Sequence, residues 1–187
     1  QSLKLADSVF GQTVSGKWID ESQIIDYVEE DVLMIPDLDT LKKLPWNKEP
    51  TAQVICDLHS NSGSPSAVAP RQVLQKIINL LHENDLKAII APELEFYLCE
   101  KNLDPNIPLQ TPVGKSGRRA NGSDVFGIDS VNEFDVFLDD IYDYCETLDI
   151  GVDTLVHESG PSQIEINLNH GDPLKLADQT FMFKRAV

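Results

Sequence analysis

Two glutamates, Glu93 and Glu95, are set into the stretch Ala91-Pro92-Glu93-Leu94-Glu95-Phe96-Tyr97-Leu98. They follow the apolar residues Leu86, Ala88, Ile89 and Ile90, which predict the approach to a buried strand. On an extended chain residues two apart share a face, so both carboxylates point one way while Leu94 and Phe96 point the other. A second pair lies further on. Glu158 ends a predicted strand through Thr154-Leu155-Val156-His157, and Glu165 belongs to 163–169, where Ile164, Ile166 and Leu168 alternate with Gln163, Glu165, Asn167 and Asn169. Close carboxylates repel and raise one another's pKa unless a positive charge compensates them. A divalent cation supplies that charge, and oxygen-only ligands select the hard ions Mg²⁺ or Mn²⁺, which keep positions open for water and phosphate. An E-x-E pair on a water-facing strand has the same pattern, so the pair alone leaves both readings open. Alternation sends His157 to the face opposite Glu158, as a packed or surface histidine rather than a ligand.

The elements that must position these groups are partly visible. Residues 1–50 are punctuated by Gly11, Gly16, Pro36, Pro45 and Pro50 and predict short strands and turns. A strand is expected over 53–58, and the loop 60–66 is the expected boundary. Behind Pro70, the residues Val73, Leu74, Ile77, Ile78 and Leu81 recur at helical spacing, predicting a helix that ends near Asn84. Residues 101–127 read as a long loop whose basic island, Lys115, Arg118 and Arg119, is solvated. Ser130-Val131-Asn132-Glu133 has the spacing of a capping box opening a second helix, with Phe134, Phe137, Leu138, Ile141 and Cys145 on its apolar side. Asp172-Pro173 predicts a third helix start. That helix meets no stop signal before Val187, so the chain reads as a fragment.

Bulk composition narrows the class. The 187 residues carry 31 acidic against 15 basic side chains, a formal charge of −16, which argues against a nucleic-acid partner because phosphate neutralisation needs clustered Lys and Arg. No run of about 18 apolar residues and no basic-then-apolar leader is present, so neither a membrane span nor a secretory peptide is expected. Cys56, Cys99 and Cys145 are isolated and odd in number, which suits reduced core thiols and a cytoplasmic location.

Taken together, APELEFYL over 91–98, His157-Glu158-Ser159-Gly160-Pro161-Ser162-Gln163-Ile164-Glu165, and Lys175-Leu176-Ala177-Asp178-Gln179 with Lys184 resemble the glutamine synthetase family. Pro70-Arg71 and Val32-Leu33-Met34-Ile35-Pro36-Asp37 resemble further landmarks of that family. Three stretches are similar to the γ-glutamylpolyamine synthetase branch: 108–114, 131–135 and 165–173. The resemblance implies an α+β fold, with 1–62 as an incomplete β-grasp N-terminal domain and 63–187 as the first part of the catalytic domain, an antiparallel sheet with flanking helices. It implies an ATP-dependent ligase that joins ammonia or a polyamine-type amine to the γ-carboxylate of glutamate through γ-glutamyl phosphate, with Mg²⁺ or Mn²⁺. Glu95, Glu158 and Glu165 would hold the ion nearer glutamate, Glu93 the ion that meets the ATP phosphates, and His170 would lie near the nucleotide. Intact relatives form homo-oligomeric rings with sites between subunits. The family's remaining metal and substrate residues have no counterpart in the chain, which is expected to catalyse little by itself. A non-catalytic scaffold or binding protein of the same family is the alternative expectation.

Overall fold

The computed structural model describes residues 3–19, 30–122 and 124–187. Their contacts gather into two compact units, one from 1–44 with 50–88 and the other from 45–49 with 89–187.

In the first unit, β1 (Leu3–Ala6), β2 (Asp31–Lys43) and β3 (Ala52–His59) form an antiparallel sheet in that order. A short 3₁₀ helix, Asp7–Gly11, follows β1. Short strands were expected over 1–50, yet β2 runs for 13 residues and passes through Pro36. Pro36 pairs with Cys56 of β3 within this strand. The β2–β3 register then shifts between Asp37 and Lys42. Thr40 bridges the irregularity: its hydroxyl donates to the Asp37 carbonyl at 2.7 Å and accepts from Ile55 N at 2.8 Å. The expected 53–58 strand is present as β3.

Helix α1 (Pro70–His82) starts on the proline. Its Arg71 guanidinium reaches two carboxylates of the sheet, Asp37 at 2.5 Å and Asp57 at 2.6 Å, with only 12% of its side chain exposed. Gln75, one turn on, reaches the same Asp57. The helix is thus tied to β2 and β3 by charge, while Val73, Ile77 and Leu80 of its apolar side stay exposed.

The second unit contains β4 (Glu93–Tyr97), α2 (Ile128–Asn132), α3 (Asp135–Leu148), β5 (Val152–His157), β6 (Gln163–Leu168) and α4 (Pro173–Ala186). Its sheet is antiparallel in the order β4-β6-β5. The α+β class with antiparallel sheets and helices is therefore observed. β6 is central and alternates as expected, with Ile164 and Ile166 completely buried and Leu168 nearly so. Leu138, Ile141, Cys145 and Leu148 of α3, with Leu176, Met182 and Phe183 of α4, complete the apolar core. The Asp172 carboxylate caps α4, accepting from the backbone N–H groups of Leu174 and Lys175 at 3.0 Å each.

Three local expectations are corrected. Residues 86–90 lead into β4 as expected, but the strand is not a buried one: Leu86, Ile89 and Ile90 are exposed, and β4 alternates exposed with half-buried residues. The capping box does not form. Ser130 lies inside α2 and donates to Asp124 at 2.9 Å, Glu133 accepts from Ser116 N at 3.0 Å, and the long helix opens only at Asp135. That bond from Ser116, with Lys115 and Arg118 nearby, holds the Glu133 carboxyl below its ordinary pKa. Of the three thiols only Cys145 is buried, and Cys99 is exposed.

Burial pushes the Cys145 thiol up to about 11, and burial with the neighbouring Asp57 charge raises Cys56. At pH 8 only about one Cys145 in a thousand is then thiolate, the reactive form. Timed labelling with a thiol-specific reagent should therefore modify Cys99 first and leave Cys145 intact until urea unfolds the chain. Labelling of Cys145 as fast as Cys99 would contradict the packing described. Among the described residues no helix is long and apolar enough to cross a membrane.

Candidate functional site

The face of the second sheet opposite Ile164, Ile166 and Leu168 carries the polar set. Register brings Glu95 directly across from Glu165, and Glu93 across from Asn167, while Val156 stands on the other side of Glu165. Three of the four glutamates thus share one face, drawn from two adjacent strands. The fourth, Glu158, follows the buried His157 at the end of β5, and alternation places it on the same side. His157 is a packed histidine, 3% exposed, with Nδ1 buried and unpartnered.

A tight turn sets the position of Glu158. Its N–H donates to the Gln163 carbonyl at 2.8 Å, and Gln163 N donates to the Gly160 carbonyl at 3.0 Å. Ser162, completely buried, takes a left-handed φ of 59°. A non-glycine residue there costs about 1–3 kcal/mol of backbone strain and persists where its surroundings over-determine it. Here they do: Leu98 N donates to the Ser162 carbonyl at 3.1 Å and the Ser162 hydroxyl donates to the Leu98 carbonyl at 2.8 Å. The β5–β6 turn is thereby locked to the end of β4.

Along this face the residues fall in order. Glu158, Gln163 and Tyr97 occupy one end, Glu95 and Glu165 come next, and Glu93, Asn167 and Thr154 lie beyond. His170 is exposed and sits past the last residue of β6, at the Glu93 end.

The donor chemistry fits a hard divalent cation. All four acids offer oxygen, and Asn167 adds a buried Oδ1 with no hydrogen-bond partner while its Nδ2 donates to Thr154 at 3.1 Å. An uncompensated buried amide oxygen beside a carboxylate is a position that a cation or a donor satisfies. Among the described residues, however, no group of three or more His, Cys, Asp or Glu side chains is gathered closely enough to hold an ion. The acids share a face without converging on a point.

Two residues of this face escaped the sequence reading. Gln163 donates to the Glu95 carboxylate at 2.5 Å. Asn167 was visible only as a polar position of β6. The basic island is engaged locally: Lys115 pairs with Asp135 at 2.5 Å, and Arg119 pairs with Glu100 at 2.9 Å and donates to the Thr111 carbonyl.

Comparison with known proteins identifies the family of the chain. Residues 67–187 match the family described as glutamine synthetase, catalytic domain. The chain is 30% identical over 196 residues to the glutamate–isopropylamine ligase of Pseudomonas sp, covering 98% of this chain and 40% of that protein. It is 32% identical over 183 residues to gamma-glutamylputrescine synthetase PuuA of Escherichia coli strain K12, covering 96% of this chain and 39% of that protein. A solved structure described as a novel glutamine synthase homolog superposes with a TM-score of 0.75 at 16% identity, over 98% of this chain and 40% of that one, a likeness of fold. The chain thus spans about 40% of the length of the curated relatives it matches. The matched region takes in β4, β5 and β6 with all four glutamates and more than half of the chain, and the chain belongs to the glutamine synthetase catalytic-domain family.

Proposed function

We propose that the chain is part of an ATP-dependent ligase that joins ammonia or a small, polyamine-type amine to the γ-carboxylate of glutamate through γ-glutamyl phosphate. The observation that carries this reading is the direct cross-strand pairing of Glu95 with Glu165, flanked by Glu93 and Glu158 on the same face of a family-matched sheet. The relatives named for isopropylamine and putrescine ligation support an amine as acceptor. Residues 1–62 are read as part of a β-grasp N-terminal domain and 63–187 as the first part of the catalytic domain. The reading also carries a cytoplasmic location and a ring of copies with sites between subunits.

Joining a carboxylate to an amine at the expense of ATP brings several anions together, so the work left to the protein is positioning and charge neutralisation. Mg²⁺ or Mn²⁺, when bound, supplies positive charge to the phosphates. Glu95, Glu158 and Glu165 would hold the ion on the glutamate side, and Glu93 the ion on the nucleotide side. β4 and β6 are backed by the apolar side of the sheet, so Glu93, Glu95 and Glu165 ride on supported strands, while Glu158 is set by the β5–β6 turn. His170 would sit beside the nucleotide.

The test is Mn²⁺ titration followed by electron paramagnetic resonance, because it reads the cation site without requiring turnover. Glu95→Gln and Glu165→Gln should each weaken binding by about tenfold or more, since charge count sets the affinity of an oxygen site. Unchanged binding in both variants would favour the alternative, a family member that serves as a scaffold. That alternative draws on the lack of convergence among the described acids.

A further inference from the structure

We infer that Gln163 is a positioning residue for Glu95, holding one oxygen of its carboxylate so that the other is presented to a cation; this deepens the reading of Glu95 as a metal-holding group and rests on it. Three groups meet the Gln163 amide. Its Nε2 donates to Glu95 Oε2 at 2.5 Å. Its Oε1 accepts from the Gly160 backbone N–H at 2.8 Å and from the Tyr97 hydroxyl at 3.0 Å.

This network leaves the amide one orientation. A flipped amide would turn its NH₂ towards the Gly160 N–H, and a backbone N–H cannot accept a hydrogen bond. The Gln163 oxygen must therefore face Gly160, and the NH₂ must face Glu95. A side chain at Gly160 would disturb the network: a Cβ there would lie 2.5 Å from the Tyr97 ring and hydroxyl and 2.8 Å from Gln163 Oε1, so those groups would have to move. The turn, β4 and β6 each contribute one group to aiming a single donor.

The placement suits a supporting role. Tyr97 pairs directly with Gln163, and Glu95 with Glu165, so Gln163 and Glu95 are diagonal neighbours on one face. A neutral amide donor fixes the direction of the carboxylate and adds no positive charge to compete with an incoming cation. With Oε2 accepting from Gln163, Glu95 would offer its other oxygen, Oε1, to a cation. Groups that orient a ligating carboxylate in this way are worth about 10–100-fold in metal affinity.

A double-mutant cycle on the full 187-residue chain tests this, with Mn²⁺ alone as the probe and near-ultraviolet circular dichroism reporting the fold. Gln163→Leu should weaken Mn²⁺ binding by about tenfold, and Gln163→Leu combined with Glu95→Gln should be no weaker than Glu95→Gln alone. Effects that add, or a Gln163→Leu affinity equal to wild type while Glu95→Gln is weakened, would overturn the positioning role and leave the metal reading intact. An unaltered Glu95→Gln affinity would sink both. If Gln163→Leu does not fold, Tyr97→Phe removes one donor from the Gln163 oxygen. It should weaken Mn²⁺ binding by a smaller factor, again only when Glu95 is present; a Tyr97→Phe affinity equal to wild type then counts against the role.

Discussion

Replacing Phe183 with alanine should lower the unfolding free energy of the second unit by about 3–5 kcal/mol, the range for truncating a fully packed aromatic side chain. Phe183 is 1% exposed and lies between α4 and β4, its ring 6.3 Å from that of Phe96 with the two planes tilted by 54°. Its loss removes the transfer free energy of the ring and opens a void against the reverse of the strand that carries Glu93 and Glu95. Because Phe96 alternates with those glutamates on β4, collapse of the void would drag the acidic face out of place as well. Urea unfolding followed by far-ultraviolet circular dichroism provides the measurement, with a midpoint expected to fall by more than about 1 M for an ordinary slope. Phe181→Ala is the control: that side chain is 55% exposed and should change stability by no more than about 0.5 kcal/mol. Equal losses in the two variants would contradict the burial of Phe183.

The second large effect is expected in the other unit. Arg71→Met should cost about 2–4 kcal/mol, somewhat less than the usual 3–5 for breaking a buried pair, because Asp37 and Asp57 keep 29% and 23% of their side-chain exposure. The guanidinium is the group that lets two carboxylates from neighbouring strands approach one helix. Without it they are left partly desolvated and facing each other. The triple variant Arg71→Met, Asp37→Asn, Asp57→Asn should regain most of the loss, since the penalty comes mainly from orphaned charge. Thermal unfolding of the single and triple variants separates the cases. A triple variant as unstable as the single one would show that packing by the Arg71 stem, rather than charge, holds α1.

How much of this was legible depended on the range of the interaction involved. The alternation of 163–168 and the Asp172-Pro173 start are local rules, and both appear in the structure. The long β2 was hidden because Pro36 punctuates the sequence, and only pairing with Cys56 and the Thr40 bridge show how the strand continues past it. The capping box failed because Ser130 and Glu133 had partners outside their own turn, Asp124 and Ser116. At the site, a two-residue period was enough to place Glu93 with Glu95 and Gln163 with Glu165. What the period could not supply was register, which alone decides that Glu95 meets Glu165 and that a glutamine 68 positions away lies against it. The Arg71 bridge, spanning 34 positions to Asp37, was out of reach for the same reason.

The single-residue interleaving in β6 has a consequence for how this chain can vary. Ile164, Ile166 and Leu168 hold the interior while Gln163, Glu165 and Asn167 hold the exterior, so either set can be exchanged by substitution without disturbing the other. Loss of one residue within 163–168 has no such shelter: it slips the strand by one place, drives carboxylate and amide inward and turns isoleucine outward. Lineages that alter chemistry on this strand are therefore confined to point replacements, with changes of length displaced to the loops on either side.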